Sequence, residues 1–126
     1  MEKLCEDNRR PMRDLLLQLP LLSVTPSGEI DYEAADPDLL VQIADNAEIS
    51  MRTIHLGLSA IGILLAHAAP ELETGDVTAN VIEAIGWTMA EMGDFASTAH
   101  CLAVASRRYT TDYNPQESHS VANVKP

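Results

Sequence analysis

The sequence predicts an all-α fold: a long antiparallel helical hairpin that dimerises into a four-helix bundle. Aromatic residues make up only 4% of the chain, so its core must be built from Leu, Ile, Val, Met and Ala, which suit helix-on-helix packing better than a sheet. Apolar or small residues recur at alternating steps of three and four through two long segments. Both segments also carry interior glycines, each costing about 1 kcal/mol of helix propensity relative to alanine.

The elements follow in order. Residues 1–10 are polar and expected to be flexible, and residues 11–110 form a single helical domain. A short helix is expected over 11–19, because Pro11 suits a first helical position, Leu15, Leu16 and Leu19 give an apolar side, and Pro20 stops it. In the arm 21–32, Leu21–Thr25 and Glu29–Tyr32 flank "PSG", which allows either a small β-hairpin or an irregular segment. The first long helix is expected over about 37–69. Asp36 caps it, Pro37 fits its first turn and Asp38 complements its positive end. Its stripe is Leu40, Ile43, Ala47, Met51, Ile54, Leu58, Ile61, Leu65 and Ala68, and Pro70 is expected to end it. Thr74 or Asp76 would cap the second long helix, expected over 77–110 with Val77, Val81, Ile85 or Ala84, Thr88, Met92, Phe95, Ala99, Leu102 and Ser106 along one face. The polar tail 111–126 is expected to be disordered.

Beside each aliphatic stripe runs a ridge of small residues. His55, Ser59, Gly62 and Ala66 form one, with Gly57 nearby, and Gly86, Ala90, Gly93, Ser97 and His100 form the other. Such ridges let helix backbones approach below the usual 8–10 Å, and the gain in contact offsets the lost propensity. Two helices of about 30 residues are roughly 45 Å long. A two-helix hairpin covers one face of each, so the second faces point to a homodimer.

The formal charge of −11 disfavours nucleic-acid binding, which needs a basic surface. Residues 31–50 hold Asp31, Glu33, Asp36, Asp38, Asp45 and Glu48 without a base. Arg9, Arg10 and Arg13, and later Arg107 and Arg108, are positioned to pair with acids of the same assembly. Cys5 and Cys101, with no secretory signal, suggest free thiols in a reducing cytoplasm. The uncharged run Ile54–Ala69 is shorter than the roughly 20 residues of a membrane span and is interrupted by His55 and His67, so a buried helix is expected.

No motif ties the chain to a reaction, cofactor or metal. His100 and Cys101 are adjacent and point about 100° apart on a helix, which is poor for joint ligation with each other or with His67. Glu83, Glu91 and Asp94 read as a solvated helix face. Ser59 and Ser97 occupy no nucleophile elbow. Trp87 is expected to anchor the arm or N-terminal segment, with a partner hot spot as the alternative. The leading expectation is therefore a non-enzymatic protein that docks on an unidentified protein, as a regulator, adaptor or inhibitor, including inhibitors of phage or mobile-element type. Asp36, Asp38, Asp45, Glu48 and Trp87 are the candidate contacts. The alternatives are a bundle holding a small apolar ligand between Ile54–Leu65 and Met89–Leu102, lined by Met51, Met89 and Met92, and an enzyme with a site formed across a dimer.

Overall fold

The computed structural model describes residues 9–114. Helix makes up 75% of it and no strand occurs among these residues, so the fold is all-α. The elements are α1 (Pro11–Gln18), a 3₁₀ turn (Leu19–Leu21), α2 (Pro37–Thr74) and α3 (Ala79–Arg108). The chain divides into two compact units. Unit 1 comprises Met1–Ala47 and Leu102–Pro126, and unit 2 comprises Glu48–Cys101.

Unit 1 holds most of the buried aliphatic residues: Leu15, Leu22, Leu40, Ile43, Ala44, Ala47, Leu102 and Ala103. Pro11 opens α1, and the Asp14 carboxylate accepts a hydrogen bond from the Arg10 backbone N–H at 3.3 Å. Hydrogen bonding from the Arg13 guanidinium holds the Asp14 carboxyl below the usual aspartate range. Of the expected apolar side of α1, Leu15 is buried while Leu16 faces solvent, because a helix this short buries only a narrow stripe. Gln18 ties α1 to α2, donating to Gln42 Oε1 at 3.1 Å and accepting from Asn46 Nδ2 at 2.9 Å.

The arm 21–32 closes through one isolated antiparallel bridge, Val24 to Ile30. Thr25 N donates to Glu29 O at 2.7 Å, Gly28 N to Thr25 O at 2.9 Å and Asp31 N to Ser23 O at 2.9 Å. Pro26 presets the turn, and Gly28 takes the positive φ of 89° that the chain needs to reverse. With one bridge pair the arm falls short of a hairpin. Leu22 anchors it in the core, and Tyr32 stacks on Tyr109 with ring centroids 5.2 Å apart.

Two helix boundaries differ from expectation. α2 runs through Pro70 to Thr74 and stops at Gly75, whose φ is +80° and whose N–H bonds Leu72 O at 3.4 Å. Glu71, Leu72 and Glu73 are good helix formers, so the proline is absorbed and the left-handed glycine supplies the stop. α3 begins at Ala79, with the Thr78 carbonyl accepting from Val81 and Ile82 N–H at 3.1 and 3.3 Å. Thr74 and Asp76, the expected caps, hydrogen-bond each other at 2.9 Å in the connection. After α3, Thr110 and Thr111 hydroxyls donate to the last-turn carbonyls of Ser106 and Arg108 at 2.9 and 3.0 Å. The start of the expected disordered tail is thus tied down. Its remainder, with most of the expected flexible N-terminus, lies outside the described residues.

Unit 2 is thinly covered. Its fully buried side chains are Ser50, Ile54, Ala96 and Ala99, and most of its other side chains are half-buried or exposed. The stripe on α2 is buried at Ile54 but only half-buried at Leu58, Ile61, Leu65 and Ala68.

Candidate functional site

The acidic residues singled out from sequence have work inside the chain. Asp36 accepts the Asp38 backbone N–H on its Oδ1 at 3.1 Å, which makes it the N-cap of α2. Asp38 in turn accepts the Tyr113 hydroxyl. Asp45 pairs with Arg107 at 2.5 Å, both side chains about two-fifths exposed, so solvent screens the pair and its net worth is small. Glu48 lies in unit 2, on a shallow depression with Met51, Arg52, His55 and Leu56. Asp36, Asp38 and Asp45 therefore act first as structural groups of unit 1. Replacing Asp36 with Ala is expected to cost about 1 kcal/mol, read as a lower urea midpoint; an unmoved midpoint would show that the cap is dispensable.

The glycine ridges are open within the single chain. A Cβ placed on Gly57, Gly62, Gly86 or Gly93 would meet nothing within 4 Å. Ser59, Ala66, Ala90 and Ser97 on the same ridges are exposed. Within one chain, therefore, no helix packs closely along these ridges among the described residues, as a seam to a second copy would also require. The small residues that are buried are others: Ala44, Ala47, Ala103 and Ser106 in unit 1, and Ser50, Ala96 and Ala99 in unit 2. The Ser50 and Ser106 hydroxyls make no hydrogen bond there. Trp87 is 66% exposed on unit 2.

What unit 2 does present is an apolar surface. An open groove of about 480 Å³ is lined by Ile61, Leu64, Leu65, Ala68 and Leu72 of α2, by Val77, and by Val81, Ile82, Ala84, Ile85 and Thr88 of α3. It lies nearer the interhelical connection than the ligand pocket expected from sequence, and none of the three expected methionines lines it. On the same helix Leu56, Ile63 and the groove-lining Leu64 are 68%, 59% and 68% exposed. Between Thr53 and Pro70 α2 carries no Asp, Glu, Lys or Arg. By length and composition α2 could cross a membrane, with a mean hydropathy of 1.5 in its most apolar stretch, a test that core helices of soluble proteins also pass.

The missed signal was present in the sequence. Leu56, Ala60, Leu64, Ala68 and Leu72 recur at steps of four, the spacing of a ridge on a helix surface. It runs beside the 3/4 stripe and is easily taken for its edge. His67, His100 and Cys101 are all exposed, and no group of three or more metal-ligating side chains is assembled among the described residues. No protein-family model, curated protein or solved structure matches the chain.

Proposed function

We propose that this chain is a non-enzymatic interaction protein that works as a homodimer, unit 2 of one copy pairing with unit 2 of another as four helices. On this reading it docks on a further protein, in the reducing cytoplasm inferred from its cysteines. The observation that supports it is the uncovered apolar surface of unit 2, which holds the groove and the exposed side chains of Leu56, Ile63 and Leu64. Burying a leucine is worth about 1.5–3 kcal/mol. Several such residues left in water are a strong drive to association, and exposed apolar patches of this kind mark interaction sites.

The test is solution mass by light scattering across a dilution series. A mass near twice 13.7 kDa, falling only at high dilution, is the expected result. A mass of one chain at every concentration rejects the homodimer. The groove also has the size of a small-ligand site, but its lining offers a single polar side chain, Thr88, to orient a ligand. That second reading predicts that a long-chain fatty acid binds at fixed stoichiometry; absence of binding removes it.

A further inference from the structure

We infer that the second copy sits on the groove side of unit 2, with the Leu56–Leu72 ridge of one α2 interlocking with the same ridge of its partner. This rests on the self-association proposed above and names the face that performs it.

The ridge alternates in size along its length: Leu56, Ala60, Leu64, Ala68, Leu72. Leu64, Ala68 and Leu72 line the groove, and Ala60 and Leu56 continue the same row. The alternation is self-complementary. Two ridges related by a two-fold axis centred between Ala60 and Leu64 pair Leu64 with Ala60 of the partner subunit, and Leu56 with Ala68 of the partner subunit. Leu56 and Leu64 then each face an alanine, while Leu72 at the end of the ridge falls opposite Arg52 of the partner subunit. Ridges of this spacing run parallel when two helices cross near −50°, steeper than the roughly 20° of a regular four-helix bundle.

Three features favour a second copy as the occupant. The complementarity is of the ridge with itself. α2 carries no charged residue from Thr53 to Pro70, so two chains of net charge −11 can meet there without opposing carboxylates on that helix. And a second copy brings a matching aliphatic ridge, whereas residues 1–8 and 115–126 of this sequence hold only Met1, Leu4, Val121 and Val124 as large aliphatic side chains. The glycine ridges are the competing face. Gly62 is separated from Leu64 by two residues, about 200° of rotation, and so lies on the opposite flank of α2. Covering glycines, alanines and serines removes far less apolar surface from water than covering leucines.

The experiment measures dimer dissociation by light scattering for the wild-type chain, Ala60→Leu, Leu64→Ala, the Ala60→Leu/Leu64→Ala double variant, and Gly93→Leu. Ala60 is exposed, so a leucine there leaves the single chain's packing unchanged. It fills the hole that receives Leu64, and the dissociation constant is expected to rise by about tenfold or more. The double variant exchanges knob and hole and is expected to recover most of that loss, while Gly93→Leu leaves the dimer intact. A wild-type dimer that Ala60→Leu does not weaken, or that Gly93→Leu dissociates, overturns this face and leaves self-association standing. A wild-type chain that is monomeric throughout overturns both, and leaves the ridge to another protein or a lipid surface.

Discussion

Ile43→Ala is expected to lose about 2–5 kcal/mol of folding stability, a large share of the 5–15 kcal/mol typical of a domain. Ile43 has no exposed surface and lies in unit 1 with Leu40, Ala44 and Ala47 buried alongside it on α2. Truncation removes its transfer free energy and leaves a cavity that the close-packed surroundings collapse to fill only in part. The same substitution at Ile63, on the same helix but 59% exposed, is expected to cost less than about 0.5 kcal/mol. Urea unfolding at one fixed protein concentration checks both, since association adds to apparent stability. Equal losses at the two positions would show that Ile63 is covered in solution.

The second large effect is at Ala99. Ala99→Leu is expected to destabilise by about 1–3 kcal/mol, because Ala99 is 3% exposed in unit 2 and three added carbons have no room. Gly93→Leu, less than two turns away, is expected to stabilise the helix by up to about 1 kcal/mol, since a side chain there enters open space and propensity favours it. Thermal melts of the two variants give opposite shifts if the buried small residues are those at Ala96 and Ala99. A destabilising Gly93→Leu would show that the glycine ridge is a packed surface in solution.

The candidate site was legible in the sequence only in part. The steps of four from Leu56 to Leu72 stand in the chain, as does the absence of charge around them. What could not be read is that the groove beside them stays open. That depends on how much of its own apolar surface unit 2 buries: Ile54, Ala96 and Ala99 are covered, and Leu56, Ile63 and Leu64 are not.

Local signals were decided by the sequence alone. Asp36 followed by Pro37 starts α2, Pro11 starts α1, and Pro26 with Gly28 turns the arm, because each depends on the φ angle or side-chain oxygen of the residue itself and its nearest neighbours. The all-α class follows from periodicity for the same reason. Tertiary structure decided which of two neighbouring small-residue rows is buried within the chain and that Trp87 stays exposed. Burial belongs to a pair of faces rather than to one: the row containing Ala96 and Ala99 and the row containing Gly93 and Ser97 have the same spacing in the chain. The rotation each helix adopts to bury the most apolar surface selects between them.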